Sequence, residues 1–247
     1  MLTEFSRGYR YGLAGLAWLR RREVRALVAW PLLINIIIFS AGTVWLFGAL
    51  ESLQLWLTTR LPDWLDWLSW LLWPLAVIAM MVVVWSGFTM IANLIGSPIN
   101  GLLSERVQKT HRPDIAVTPL PLWQEVLAAP LVELRKLAYF LILALPVLLL
   151  SLLPVINVLA PVIWFAYGAW VLALEYCEYP LGNTGLGFVA ARRLLRQRSS
   201  LALGFGAGVM TLTLVPGLNL VAMPAAVIGA TLLWCDQLHG KVTNSQL

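Results

Sequence analysis

Apolar positions in this chain come in long uninterrupted blocks. Ala26 to Leu50 holds 25 residues without a charge, and Trp67 to Ser104 holds 38. A hydrocarbon core about 30 Å thick takes ~20 helical residues. The first block therefore predicts one crossing at 26–50, with Pro31 early enough to disturb little. The second block exceeds one crossing and needs a break. Gly96-Ser97-Pro98 supplies it, because Ser is a good N-cap and Pro a good first helical residue. That places a second crossing at 67–95 and a cytoplasmic helical segment at 97–136.

Ahead of these blocks, Leu2, Phe5, Tyr9, Leu13 and Leu16 step by three and four, with Arg7 and Arg10 off the stripe. The spacing predicts an amphipathic helix within 1–25, lying at the membrane interface. A plain helix packing on a partner has the same spacing.

The second half repeats itself. Leu137–Leu153, a Pro154-Val155-Ile156-Asn157 turn and Val158–Leu174 form one unit. Leu201–Val215, a Pro216-Gly217-Leu218-Asn219 turn and Leu220–Cys235 form the other. Each places a proline soon after its turn (Pro161, Pro224) and each closes on a cysteine followed by an acid. Two helical hairpins are predicted, at 137–174 and 201–235. Their arms are short for a full crossing and their tips carry no charge, so four short spans and two re-entrant hairpins both fit.

Charge refines this picture. Charged residues make up 12% of the 247 positions, where soluble domains have about 25%, and mean hydropathy is +0.81. Six arginines (7, 10, 20, 21, 22, 25) precede the first block, one positive residue, Arg60, lies between the blocks, and Arg106, Lys109, Arg112, Arg135 and Lys136 follow the second before the next apolar stretch. The positive-inside bias puts the N-terminus in the cytoplasm and 51–66 outside. Trp56, Trp64, Trp67, Trp70 and Trp73 there resemble an aromatic belt. The net charge of +5 is a topology signal; no nucleic-acid partner is expected. Two cysteines make no disulfide framework, and neither histidine has a carboxylate in its segment. No nucleotide fingerprint, metal triad or catalytic base is present, so no cofactor and no enzyme activity are expected.

One stretch carries candidate chemistry. A helix starting at Pro98 would leave its first-turn N–H groups without intrahelical partners, and Gly101 would not screen them. With the helix dipole, this makes an anion site. Arg20, Arg21, Arg22 and Arg25, on the same side of the membrane, match tetrahedral oxyanions. The same cap and basic cluster also serve a helix restart and membrane orientation alone. Asn35, Ser86, Thr89 and Asn93 are polar groups within the blocks that fit either a path lining or interhelical hydrogen bonds. Glu175, Glu178 and Asp236 end hairpin arms.

PLLINIIIFSAGTVWLF, LPDWLDWLSWLLWPLAVI, SPINGLLSERV, APVIWFAYGAWVLALEYCEYP and VPGLNLVAMPAAVIGATLLW resemble segments of the CysZ family of bacterial sulfate permeases, over roughly residues 5–240. The resemblance implies an all-α integral membrane protein: two long transmembrane helices, two re-entrant half-inserted hairpins and amphipathic interfacial helices, in one membrane domain over 1–247. It implies a homo-oligomer in the bacterial inner membrane, in contact with lipid, taking up sulfate for cysteine synthesis. It further implies sulfate binding by Gly101, Leu102, Leu103, Ser104 and Glu105, chiefly through backbone N–H groups, with two of Arg20, Arg21 and Arg22. Ser104 stands where many relatives have alanine. The rival reading is a membrane scaffold or lipid-handling protein whose hairpins wedge one leaflet and whose basic clusters bind anionic lipid.

Overall fold

The computed structural model describes residues 1–60, 66–117, 122–153 and 157–242. Within its helices, the side chains of 31, 32, 35, 57, 58, 60, 66–69, 83, 85–95, 97, 122–130, 241 and 242 fall outside the description, as do Asn35, Ser86, Thr89 and Asn93 among them. The described chain is all-helical: α1 (Leu2–Trp18), α2 (Arg22–Arg60), α3 (Asp66–His111), α4 (Leu122–Ser151), α5 (Ala160–Gly182), α6 (Phe188–Gln197), α7 (Ser199–Leu214), α8 (Asn219–Leu233) and α9 (His239–Val242). A 3-10 turn, Asn157–Leu159, precedes α5, and a π-helical turn, Trp234–Leu238, joins α8 to α9.

The expected helix break at Gly96-Ser97-Pro98 is absent; α3 runs unbroken through it to His111. Proline removes one backbone hydrogen bond, which disqualifies it from most helix interiors in water. Long apolar helices tolerate it more readily, since neighbouring groups re-satisfy the freed carbonyl. Pro180 and Pro224 likewise lie inside α5 and α8.

The chain divides into two compact units, 29–97 and the remainder, 1–28 with 98–247. In the first, α2 and α3 are apolar all round. Trp30, Ile36, Phe39, Val44, Phe47, Trp70, Leu75, Ile78 and Val82 are each more than half exposed within the chain. A helix with no polar face needs an apolar solvent. Gly42 lies against Val84 here, and Thr43, Ser52 and Thr59 turn their hydroxyls back onto carbonyls of the preceding turn.

The other unit has a core built from α5, α6, α7 and α8, with Phe205, Leu174, Leu181, Leu195, Leu233 and Trp234 fully buried. α1 packs across α7 and α8 on glycine. Gly8, Gly12 and Gly15 are buried, whereas Leu2 is 86% exposed. A methyl at Gly12 would meet the Phe205 carbonyl oxygen at 2.6 Å and the Gly208 Cα at 3.0 Å. Gly204 and Gly208 of α7 return the favour toward the backbones of Phe5 and Tyr9. Small residues at such crossings let backbones touch.

α4 pairs with α5 through side-chain hydrogen bonds: Trp164 Nε1 to Ser151 Oγ at 3.0 Å, Tyr167 OH to the Phe140 carbonyl at 3.1 Å, and Trp170 Nε1 to Tyr139 OH at 3.2 Å. The tip between α7 and α8 turns on Gly217, at φ +84°, where only glycine sits without strain. α6 is amphipathic, burying Phe188, Ala191, Leu194 and Leu195 and turning Arg193 and Arg196 outward.

Candidate anion-binding site

The C-terminal part of α3 carries polar groups at every fourth position: Asn100, Ser104 and Gln108, all buried. Residues four apart share a helix face. Leu103 and Val107 beside them are also buried, so this face is packed into the unit's core.

Two of the three, Asn100 and Ser104, are fixed from other helices. Asn100 Nδ2 donates to Tyr179 OH at 3.4 Å, and Asn183 Nδ2 donates to the Gly101 carbonyl at 3.2 Å, both from α5 and its C-terminus. Ser104 Oγ lies 2.8 Å from Thr231 Oγ1. Thr231 gives its proton to the Val227 carbonyl at 2.8 Å. Ser104 is therefore the donor, and its single proton is committed. Glu105 is ion-paired to Lys109 one turn on. Leu102 points outward, 47% exposed. Within a continuous helix the N–H groups of 101–105 bond to the turn before them, so the free N-terminus expected here does not exist in this conformation. The Gln108 side-chain amide makes no hydrogen bond among the described residues.

The arginines stand elsewhere along α3. Arg21 stacks over the Trp18 ring at 3.7 Å. Trp18 meets His111 edge-on, with centroids 5.8 Å apart. His111 Nε2 lies 2.9 Å from Asp236 Oδ1, and Tyr11 OH donates to Asp236 Oδ2 at 2.9 Å. Burial, then the bond to Asp236, raises the Tyr11 pKa. The aromatic relay thus brings Arg21 to the last turn of α3, which ten residues, ~15 Å along the axis, separate from Gly101. Arg20, Arg21 and Arg22 are exposed, and among the described residues none of their side chains forms a hydrogen bond or ion pair. Three unpaired guanidiniums beside one another can receive an oxyanion by paired N–H donation.

Of the arm-ending acids, Glu175 and Glu178 face Lys136 of α4. Lys136 Nζ lies 2.8 Å from Glu178, 2.6 Å from Glu133 and 3.9 Å from Glu175, with its side chain 6% exposed. After α3, Arg112 grips Asp114 by two bonds of 2.8 and 2.7 Å, which hold that carboxyl down at about 2.

Sequence reading missed Trp18, His111 and Lys136. The four-residue recurrence of Asn100, Ser104 and Gln108 was a readable sign of a buried polar seam. Nothing local announced that Trp18 would reach His111. Among the described residues, no group of His, Cys, Asp and Glu is arranged to hold a metal ion.

Four described helices are long and apolar enough to cross a bilayer: Ile36–Trp56, Leu131–Ser151, Asn157–Gly182 and Asn219–Leu238. With its bare apolar faces, this is an all-helical membrane protein. The family model described as Sulfate transporter CysZ/Etoposide-induced protein 2.4 matches residues 11–224, and the chain belongs to that family. It is 41% identical over 235 residues to the sulfate transporter CysZ of Pectobacterium atrosepticum, covering 93% of this chain and 85% of that one. It is 40% identical over 235 residues to the protein of the same name from Pseudomonas aeruginosa PAO1, covering 92% and 94%. The Salmonella typhimurium LT2 protein of that name is 39% identical over 223 residues, covering 88% and 87%.

Proposed function

We infer that this chain moves sulfate across the bacterial inner membrane, supplying cysteine synthesis. The observation that carries the reading is the identity of about two residues in five, over nine-tenths of the chain, to proteins named sulfate transporters. Such a protein would keep its N-terminus in the cytoplasm and work as a homo-oligomer. Its two hairpins would be half-inserted, with Asn157 and Asn219 at their tips.

The proposed sulfate ligands are Arg20, Arg21 and Arg22 with the backbone of Gly101, Leu102, Leu103, Ser104 and Glu105. Only the guanidiniums are free of hydrogen bonds in the conformation described, with Arg21 stacked on Trp18. The backbone of 101–105 can donate only if the turn around Pro98 unwinds, and Pro98 already lacks the N–H that would help to close that turn. Sulfate in bare hydrocarbon is prohibitive, so a wet, protein-lined path is required. Passive flow drawn by cytoplasmic consumption is the simplest driving force.

The test is uptake of radiolabelled sulfate into proteoliposomes, with chloride and phosphate as competitors. The parent should take up sulfate against excess chloride, and Arg20→Gln/Arg21→Gln/Arg22→Gln should abolish it. Pro98→Ala strengthens the helix by about 3 kcal/mol. It should slow uptake if unwinding is needed and leave it unchanged if the arginines act alone. Absence of uptake in folded, inserted parent protein would overturn the transport reading.

A further inference from the structure

A cavity of about 730 Å³ opens where the start of α6 faces α4. Its charged lining is Arg135 of α4, Arg193 of α6 and Glu178 of α5. Glu178 already holds Lys136 Nζ at 2.8 Å. The side chains of Arg135 and Arg193 form no hydrogen bond or ion pair among the described residues, so the cavity presents two open guanidinium forks beside an acid that shares Lys136 with Glu133 and Glu175. The open donors suit an anion. The rest of the wall includes Val132, Phe188 and Val189.

The helix face beyond Arg135 decides which anion. Seven, ten and fourteen residues on, Ile142, Leu145 and Leu149 are 72%, 58% and 57% exposed. These spacings keep them on the face of Arg135, along ~20 Å of helix. A free oxyanion would use the arginines and leave this apolar stripe bare. A molecule with a phosphate at one end and a hydrocarbon chain at the other uses both.

We propose that the α4–α6 cavity seats the phosphate of an anionic phospholipid between Arg135 and Arg193, with an acyl chain lying along Ile142, Leu145 and Leu149. The lipid site stands on the membrane character of the chain and is independent of which solute the protein carries.

The test uses purified, delipidated protein in detergent, titrated with phosphatidylglycerol or phosphatidylcholine and read by native mass spectrometry. Phosphatidylglycerol should bind the parent about tenfold tighter than phosphatidylcholine, as two arginines near a headgroup allow. Arg135→Gln/Arg193→Gln should erase that preference. Arg106→Gln/Arg196→Gln, equal in charge change and outside the cavity, should keep it. Val189→Glu puts a negative charge on an exposed rim position and carries the test if the Gln pair fails to fold; it should also erase the preference. Inorganic phosphate at matched ionic strength should not displace the lipid. Parent-like preference in the cavity variants would overturn the proposal, as would equal loss in the charge-matched pair. Displacement by inorganic phosphate would do the same and assign the cavity to a free oxyanion.

Discussion

The two hairpins look alike in sequence and sit in opposite surroundings. Both have apolar arms about a P-x-x-N turn. Of the most apolar window in each spanning helix, 11% is buried in α4 and 22% in α5, but 67% in the second arm of the α7–α8 hairpin. Apolar content does not separate them, since lipid and protein core both accept leucine. Residue size does. α7 holds Gly204, Gly206 and Gly208, and α8 holds Ala222, Ala225, Ala226, Gly229 and Ala230, all buried. α4 shows Leu141, Ile142, Leu145, Leu148 and Leu149 to the outside. Small residues mark the arm that other helices pack on, and large ones mark the arm that lipid covers.

The strongest way to break that comparison is to make a small residue large. Gly12→Leu forces α1 off the Phe205 and Gly208 backbones. Neither can yield as a side chain would, so the cost should be at least about 3 kcal/mol, the severe end of overpacking. Loss of the monodisperse peak and of the thermal transition in detergent would report it. Ile142→Ala, on the exposed face of α4, should stay within about 0.5 kcal/mol of the parent. Equal damage from both would end the distinction between hairpins.

The comparison also shows what was legible in sequence. The apolar blocks, the turn at Gly217 and the all-helical fold were readable because length and hydropathy fix them locally, whereas the Pro154-Val155-Ile156 turn lies outside the described residues. The rules of helices in water make Pro98 a break, but α3 passes straight through it. In α1 the leucine stripe drew attention, but the buried face is Gly8, Gly12 and Gly15. Glycine has no hydropathy signal to read; its meaning is the closeness of a neighbour. The arginine cluster was legible as a feature. Its place beside Trp18 and His111 was not, because that juxtaposition is set by how α1 packs on α7 and α8.

Charge sharpens the contrast next. The first hairpin holds its one nearly buried cation, among the described residues, at Lys136. Lys136→Met leaves Glu178, 19% exposed, and Glu175, 37% exposed, without their counter-charge. Breaking a buried pair costs about 3–5 kcal/mol; partial exposure of the acids lowers this to about 2. Lys136→Met with Glu178→Gln should recover part of the loss, and thermal unfolding of the four proteins in the cycle measures it. Additive losses would show that the lysine acts by packing alone.

A smaller effect belongs to the α3–α8 seam. Ser104→Ala and Thr231→Val each remove one partner of the 2.8 Å bond, so each should cost about 1 kcal/mol. The double variant should cost less than the sum. If Ser104 also served sulfate directly, Ser104→Ala would weaken uptake far more than Thr231→Val does, and equal uptake in both would confine the hydroxyl to packing.

The smallest effect compares the approaches to the two hairpins. Ahead of α7, Arg198 is 13% exposed and joins Glu4 to the Gln237 carbonyl, tying both ends of the unit together. Ahead of α4, Arg112 and Asp114 form an exposed pair. The guanidinium holds Asp114 at about 2, below its ordinary 3.8. A depressed carboxyl binds its proton more weakly when folded, so the pair's contribution is complete above the ordinary value and is lost as pH falls from there through about 2. Carboxyl NMR shifts should show Asp114 titrating near 2 in the parent and near its ordinary value in Arg112→Gln. The thermal midpoints of these two proteins should differ slightly at pH near 6 and converge at pH near 2, because solvent screens the exposed pair. Arg198→Gln should lower the midpoint more than Arg112→Gln at neutral pH. The reverse order would mean that the loop before α4, and not the junction before α7, fixes how its hairpin is held.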